Sequence, residues 1–217
     1  MRVVAAVPVQ ALAGAKSRLA AVLAPDERAA LTLRLLGGVL DALAAPGITA
    51  RLVVSPDPTV LAAARAGGAS ALLQPAGQRD DLDGLNAALV AAREWAERRG
   101  ADALLVVLGD LPLLTRADVA AILALAGEAP ATAVLAPDRH GCGTNALLLR
   151  PPGAIPFAFG PGSLARHLAA TAARDLPARL YRSPGAALDV DTPDDLAAVA
   201  DRFADLPSLG AASRGRG

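Results

Sequence analysis

Short, continuous apolar runs alternate with longer amphipathic stretches along this sequence, and that alternation constrains the fold more than any other feature. Six Val- and Leu-rich runs have the length of strands: residues 3–9, 51–55, 71–74, 103–108, 131–136 and 146–149. Stretches with apolar residues at helical spacing lie between most of them: residues 25–44, 59–66, 85–99 and 115–125. Because the strands are apolar on both faces, helices must cover the sheet on each side. The predicted fold class is therefore α/β, with a single-domain, mostly parallel mixed sheet flanked by helices.

The chain has 217 residues, which is enough for one large core, and its sequence contains no repeat and no sign of a second domain. We place the domain at residues 1–203. Residues 204–217 are small and polar, so we expect a disordered tail there. The apolar N-terminal run is too short to span a membrane and lacks a signal-peptide cleavage pattern, so it is interpreted as the first strand.

Composition argues against several classes of partner. Lys plus Arg and Asp plus Glu both number 21, so no net field attracts a nucleic acid or an anionic membrane. Three Phe, one Tyr and one Trp provide no platform on which bases could stack. The single cysteine, Cys142, is the usage expected in a reducing compartment, which predicts a cytoplasmic protein. Aliphatic helix faces are compatible with a homodimer.

Ligands of an open α/β sheet bind outside the carboxyl ends of the strands, so the segment after the first strand is a candidate phosphate site. This loop is built of small residues and carries Lys16 and Arg18, which could supply two cations to a phosphate chain. It lacks the glycine spacing of a Walker loop. A solvated basic turn before a helix explains the segment equally well.

Three carboxylates are candidate metal ligands. Asp110 follows a fully apolar strand, where a buried carboxylate without a partner would cost several kcal/mol. Asp189 and Asp191 are two residues apart, so in an extended segment they point the same way. Their oxygens suit Mg²⁺, which completes its shell with water and substrate phosphates. The alternatives are a turn or cap role for Asp110 and an N-cap role for Asp191 before the helix at Pro193.

Two glycine-rich segments are suited to anions or hydroxyl groups. Residues 141–146 precede an apolar run, and residues 159–163 open a predicted helix at 164–173. A glycine-flanked helix N-terminus offers free amides and a favourable dipole to a carboxylate or phosphate. Asn86, at the start of another predicted helix, is either a cap or a contact to ribose or base.

Hydrolytic chemistry is poorly supported. His140 and His167 do not form a ligand pair by spacing, and neither lies near a Ser or Cys in a nucleophile elbow. Nothing near Cys142 in sequence would activate it as a nucleophile, so we interpret it as an incidental small residue.

The ordered set of motifs resembles the guanylyltransferases of deazaflavin coenzyme (coenzyme F-420) biosynthesis, over nearly the whole chain. The motifs are Val-Pro-Val at 7–9, Ala-Lys-Ser-Arg-Leu at 15–19, Gly-Leu-Asn at 84–86, Gly-Asp-Leu-Pro-Leu at 109–113, Gly-Thr-Asn-Ala-Leu at 143–147, Phe-Gly-Pro-Gly-Ser at 159–163 and Asp-Val-Asp-Thr-Pro at 189–193. The resemblance implies a nucleotide-diphospho-sugar-transferase-like fold that uses GTP and magnesium. Many relatives have a Lys after the first Val-Pro-Val, whereas this chain has Gln10.

The resemblance also implies roles for individual residues. Asp110, Asp189 and Asp191 would bind the metal, and Thr144, Gly160 and Ser163 would hold the phosphorylated three-carbon acid. Lys16, Arg18 and Asn86 would bind the nucleotide, and Lys16 and Asp110 would be catalytic. With Gln10 in place of Lys, more of the phosphate binding falls to Lys16 and Arg18.

The implied reaction joins GMP to the phosphate of a small phosphorylated acid. Members of the family guanylylate 2-phospho-L-lactate, phosphoenolpyruvate or 3-phosphoglycerate, and the Ala, Arg and Gly content of this chain favours phosphoenolpyruvate by lineage. We expect Asp80, Asp81 or Asp83 to contact guanine. The alternatives are a molybdenum-cofactor or sugar-phosphate nucleotidyltransferase and a catalytically inactive nucleotide-binding protein.

Overall fold

The computed structural model describes residues 1–74 and 82–203, and their strands form one mixed sheet. The seven strands are β1 (Val3–Pro8), β2 (Ile48–Ser55), β3 (Ser70–Leu73), β4 (Ala103–Val107), β5 (Thr132–Pro137), β6 (Thr144–Arg150) and β7 (Ala178–Leu180). Their order across the sheet is β3-β2-β1-β4-β6-β5-β7. The predicted α/β class and mixed sheet are therefore confirmed.

The direction of β6 decides which residues can reach the site. β1, β2, β3 and β4 pair in parallel, whereas β6 runs antiparallel to both of its neighbours, β4 and β5. The first residues of β6 therefore lie at the edge where β1 and β4 end. A hydrogen bond from Leu108 N to Asn145 O, 3.0 Å long, fixes this register just beyond β4.

Helices α1 to α5 lie between strands, α6 and α7 follow β7, and several of them begin where local chemistry favours a helix. Their bounds are α1 (Pro25–Ala42), α2 (Pro58–Ala66), α3 (Leu82–Glu97), α4 (Arg116–Ala126), α5 (Ser163–Ala172), α6 (Pro184–Ala187) and α7 (Pro193–Ala197). Pro25 and Pro58 occupy first-turn positions, where the missing amide is harmless. Thr115 and Thr192 each cap the next helix in a reciprocal capping box with an Asp three residues on.

Both faces of the sheet are buried, as the continuous apolar strands require. Val3, Ala5 and Val7 of β1 face one core, and Val4 and Ala6 face the other. A third apolar cluster joins the start of the chain to its C-terminal part through these residues: Leu19, Leu23, Leu31, Leu35, Val190, Leu196, Val199 and Phe203. This third cluster fixes residues 189–192 against the segment that follows β1.

Several element boundaries differ from the sequence prediction. β2 begins at Ile48 and α3 at Leu82, each three residues earlier than predicted, and the exposed strand β7 was not predicted at all. No helix among the described residues is long and apolar enough to cross a membrane. The predicted tail at 204–217 lies outside the described residues.

Candidate active site

A cleft of about 520 Å³ opens at the edge where β1 and β4 end and β6 begins. Several segments of the chain contribute charged or polar side chains to its wall. The predicted site residues with charged or polar side chains there are Lys16, Arg18, Asp110, Thr144, Asp189 and Asp191. Side chains 175 positions apart therefore meet at one place, as the sheet-edge argument predicted.

Lys16 lies at the centre of this cleft. Its ammonium Nζ is 2.5 Å from Asp110 Oδ2 and 3.0 Å from Asp191 Oδ1, and only 9% of its side chain is exposed. Burial by itself would lower the pKa of Lys16, but the two carboxylates outweigh it and raise that pKa, so the ammonium stays charged. The sequence alternative of a solvated basic turn is therefore wrong for Lys16.

The backbone around Lys16 is shaped to aim this side chain inward. Lys16 has a left-handed backbone with φ 51° and lies between two short 3₁₀ turns, Leu12–Gly14 and Ser17–Leu19. The Asp57 carboxylate, which also caps α2, accepts the Leu12 amide at 3.0 Å. The loop after β1 is thus anchored to the start of α2, the helix that follows the neighbouring strand β2.

Arg18 contributes a second, more exposed cation. Its Nη1 lies 3.7 Å from Asp191 Oδ2, and 73% of its side chain is exposed. The exposed Gln10 also lines the cleft. A phosphate chain entering this side would therefore meet one buried ammonium and one exposed guanidinium.

The three acidic residues are held together by the backbone. The Asp110 carbonyl accepts the Val190 amide at 3.2 Å, which places Asp189 and Asp191 beside the end of β4. Burial raises the pKa of Asp189, and the neighbouring Asp110 and Asp191 carboxylates raise it further. Asp110 Oδ1 is buried without a hydrogen-bond partner in the described part of the chain. The cluster is therefore short of positive charge at Asp110 Oδ1 and Asp189.

The proposed metal ligands do not form a finished metal site. Within residues 1–74 and 82–203, no three His, Cys, Asp or Glu side chains are arranged to hold a metal ion. The Lys16 ammonium lies between Asp110 and Asp191 instead. The donor chemistry nevertheless fits a hard cation, because Asp110 Oδ1 is unpartnered and the charged form of Asp189 is disfavoured.

Helix capping explains neither Asp110 nor Asp191. Thr192, rather than Asp191, is the N-cap of α7, and Thr115, rather than Asp110, is the N-cap of α4. The Asp191 side chain instead contacts Lys16 and Arg18. The Asp191 amide donates to Asp195 Oδ2 at 3.1 Å, and Asp195 also forms an ion pair with Arg139.

Asn145 supports the acidic cluster and was not singled out from the sequence. This buried side chain donates to the carbonyls of Ala186 and Ala187 at 3.1 and 3.0 Å, and its amide lies 3.5 Å from Asp189 Oδ1. Asn145 therefore ties β6 to α6 and to the segment that carries Asp189. The sequence signal that could have identified Asn145 is its position next to Thr144 in the glycine-flanked motif.

A second network secures α6 from the other side. The Asp118 carboxylate accepts hydrogen bonds from Thr115, Tyr181 and Ser183, and Ser183 is the N-cap of α6. Burial would raise the pKa of Asp118, but these hydrogen bonds lower it below its ordinary value. The charged carboxylate thus holds β7, α4 and α6 together.

The second glycine-rich segment forms another wall of the cleft. Gly160 lines the cleft with φ 118°, and Ser163 is buried as the first residue of α5. Asn86 pairs with the Phe159 backbone: its Nδ2 donates to Phe159 O at 3.3 Å, and its Oδ1 accepts from Phe159 N at 2.9 Å. Asn86 therefore clamps this loop, and its predicted contact with nucleotide stays a prediction.

The predicted guanine contacts cannot be placed. Asp80 and Asp81 lie outside the described residues, as does the side chain of Asp83.

The family model described as "Guanylyl transferase CofC like" matches residues 1–200. The chain belongs to this guanylyltransferase family. A phosphoenolpyruvate guanylyltransferase of Rubrobacter xylanophilus is 54% identical over 197 residues, covering 91% of this chain and 93% of the relative. One of Sphaerobacter thermophilus is 53% identical over 201 residues, covering 92% and 93%.

Solved structures support the fold. A protein of Desulfovibrio desulfuricans G20 assigned as a nucleotide-diphospho-sugar transferase superposes with a TM-score of 0.75 at 17% identity, covering 97% of this chain and 94% of that one. A CMP:2-keto-3-deoxy-manno-octonic acid synthetase complexed with CTP superposes with a TM-score of 0.60 at 17% identity, covering 94% and 99%. The predicted family and nucleotide-diphospho-sugar-transferase-like fold are confirmed.

Proposed function

We propose that this member of the guanylyltransferase family transfers GMP from GTP to the phosphate of phosphoenolpyruvate and releases pyrophosphate. The identity of 54% to a phosphoenolpyruvate guanylyltransferase, over 91% of this chain, is the observation that supports this acceptor. A role in coenzyme F-420 biosynthesis and a cytoplasmic location belong to the same proposal.

The chemistry needs positive charge more than it needs a base. A phosphate monoester loses its second proton near pH 6, so the acceptor is already a nucleophile at neutral pH. An oxygen of the acceptor phosphate attacks the α-phosphorus of GTP and forms a new P–O bond. The bond between the α-phosphorus and the pyrophosphate leaving group breaks. The main barrier is repulsion between two anions, which a buried ammonium at the reacting centre reduces.

Lys16 and Arg18 fit this requirement. The buried Lys16 ammonium offers a fixed donor to the transferring phosphate, and the exposed Arg18 can follow the β- and γ-phosphates. Asp110 and Asp191 orient the Lys16 side chain in the absence of substrate. Catalysis here is alignment of two substrates together with neutralisation of their charge.

We include Mg²⁺ in the proposal, with Asp110, Asp189 and Asp191 as the residues that would hold it. Asp110 Oδ1, which has no hydrogen-bond partner within residues 1–74 and 82–203, and the raised pKa of Asp189 support this assignment. When bound, the ion would neutralise phosphate charge and help to align the in-line attack. Lys16 contacts two of these carboxylates, so its ammonium and the ion would share them.

The test is pyrophosphate release from GTP and magnesium, with phosphoenolpyruvate, 2-phospho-L-lactate and 3-phosphoglycerate offered separately. We expect release with phosphoenolpyruvate and loss of that release in Asp110→Asn. Asp194→Asn is the matched control, because Asp194 is exposed in the first turn of α7 and outside the cleft. Release with a different acceptor alone would change the assigned substrate, and release with none would refute the proposal.

A further inference from the structure

His167 of α5 is a buried side chain whose two ring nitrogens both have partners. It is fully buried, with its ring at 70° to Phe159 and 5.0 Å between ring centroids. The Ala158 amide donates to Nε2 at 3.0 Å, and Nδ1 lies 3.1 Å from Thr144 Oγ1. The ring therefore joins the loop before Gly160 to the first residue of β6.

The hydrogen-bond partners define the tautomer. A backbone amide can only donate, so Nε2 must carry a lone pair. Burial, with a smaller effect from Arg166, lowers the pKa of His167 to about 4, so the ring is neutral near pH 7. A neutral ring with an unprotonated Nε2 carries its proton on Nδ1. Nδ1–H therefore donates to the Thr144 hydroxyl.

This donation determines what Thr144 can offer to a ligand. A hydroxyl has one proton to donate and two lone pairs, and His167 occupies one of the lone pairs. His167 is the only hydrogen-bond partner of Thr144 Oγ1 within the described residues. Thr144 is only 2% exposed but lines the cleft, so the cleft is the side on which a ligand could accept its own proton. A ligand oxygen that only accepts, such as a carboxylate or phosphate oxygen, matches this donor.

The same ring secures the facing wall. Through Ala158 it holds the loop that leads to Gly160, and Asn86 pairs with the backbone of the intervening Phe159. Arg166, next to His167 on α5, donates to the carbonyls of Ala158 and Pro161. The spacing between Thr144 and this loop therefore depends on His167.

We propose that His167, as its Nδ1–H tautomer, is a positioning residue for the anionic acceptor that fixes the Thr144 hydroxyl as a donor and sets its distance from the Gly160 loop. The inference rests on the proposed function for the identity of that acceptor. Among the described residues, the His167 side chain has hydrogen bonds with Thr144 and Ala158 and none with the acidic cluster.

The tautomer can be measured without turnover. In ¹⁵N-histidine-labelled full-length protein, the shifts of the His167 ring nitrogens should show the neutral Nδ1–H form between pH 5.5 and 8, roughly one unit or more above the ring's pKa. His140→Gln assigns the two rings, because the chain has only two His. Thr144→Val should move the Nδ1 resonance. An Nε2–H form, or a charged ring in this range, would overturn the proposal.

Kinetics separate positioning from general stability. His167→Gln removes the ring Nδ1–H that donates to Thr144, and we expect a rise of about tenfold in KM for phosphoenolpyruvate with little change in KM for GTP. Thr144→Val, which is nearly isosteric, should likewise raise KM for phosphoenolpyruvate and leave KM for GTP nearly unchanged. In the double variant, KM for phosphoenolpyruvate should be no higher than in the more affected single variant. Thr171→Val is the control, because this buried hydroxyl on α5 donates to Leu168 O instead.

The outcomes distinguish this inference from the proposed function. A wild-type protein inactive with all three acceptors refutes the proposed function. An active wild type with an unchanged phosphoenolpyruvate KM in Thr144→Val refutes the inference alone, even if His167→Gln fails to fold. Equal rises in both KM values, or additive effects in the double variant, would likewise contradict it.

Discussion

Replacing Lys16 by Met tests the electrostatic centre of the site. The ammonium lies 2.5 Å from Asp110 and 3.0 Å from Asp191, and Met keeps much of the side-chain length without the charge. Since Lys16 already has φ 51°, Met in the same left-handed conformation adds no new backbone strain. Loss of one preorganised donor at a developing charge typically lowers turnover by about 10²–10³, and we expect that range here.

The same change should weaken the fold only moderately. Breaking a fully buried ion pair costs about 3–5 kcal/mol, but the side chains of Asp110 and Asp191 are 23% and 42% exposed, so water screens them. We expect a loss of about 1–2 kcal/mol without divalent ions, which lowers the thermal midpoint by roughly 2–8 °C in a chain of this size. Most of the protein therefore stays folded at 25 °C.

The measurement compares the rate of pyrophosphate release by each variant and the parent at saturating GTP and phosphoenolpyruvate. A thermal unfolding curve for each protein shows whether it is folded. Lys16→Arg is the matched control, because it keeps the charge but not the compact ammonium. A Lys16→Met variant with turnover within a few-fold of the parent would refute the assigned role. An unfolded variant would instead show that the two ion pairs contribute more stability than their exposure indicates.

Three further predictions follow from individual contacts. Asp189→Asn should abolish magnesium-dependent pyrophosphate release yet raise the metal-free thermal midpoint, because burial and then two neighbouring carboxylates raise the pKa of Asp189 and disfavour its charge; a lower midpoint would contradict this. Asp118→Asn should lower the free energy of unfolding by about 2–4 kcal/mol in denaturant titrations. Burial acts to raise the pKa of Asp118, but its hydrogen bonds lower that pKa overall. The charged Asp118 carboxylate therefore stabilises the fold at pH values above the ordinary carboxyl range. This stabilisation is lost as the pH falls through the folded-state pKa. The variant should therefore lose less stability than the parent between neutral and acid pH, and parallel curves would contradict the assignment. Asn86→Ala should raise KM for phosphoenolpyruvate more than KM for GTP if its role is to clamp Phe159, whereas the reverse order would indicate nucleotide contact.

The sequence predicted the sheet because its strands are apolar on both faces, a pattern that helical segments rarely imitate at that length. It could not predict the direction of β6, because a continuous apolar run has the same residue pattern in a parallel strand and in an antiparallel strand. The exposed strand β7 was not predicted for a different reason. Only three of its residues pair, and a run of three residues is too short to show an apolar pattern in the sequence.

The acidic cluster was predictable because its members are placed by simple rules. Asp110 follows a buried strand, and Asp189 and Asp191 share one side of an extended segment. The contacts of His167 were not predictable, since they join residues 9 and 23 positions away through the packing of α5. Local patterns thus locate charged residues at a sheet edge, whereas the orientation of a neutral hydrogen-bond network depends on tertiary packing.

If a divalent ion binds at Asp110 and Asp191 as proposed, it competes with Lys16 for these carboxylates, and replacing Lys16 should change metal affinity and turnover in opposite directions. The ammonium contacts Asp110 and Asp191, so a cation binding there meets repulsion from Lys16. At about 5 Å and an effective dielectric constant near 20, a unit charge acting on a divalent ion contributes several kcal/mol, before the ammonium moves away. Binding of Mn²⁺ to the nucleotide-free protein, followed by the EPR signal of the free ion, should therefore tighten by tenfold or more in Lys16→Met, while turnover falls. Lys16→Arg should bind Mn²⁺ close to the parent value, because the charge is kept. If Lys16→Met binds Mn²⁺ no more tightly than the parent, the ion does not share these carboxylates with Lys16, and the metal assignment to Asp110 and Asp191 is wrong.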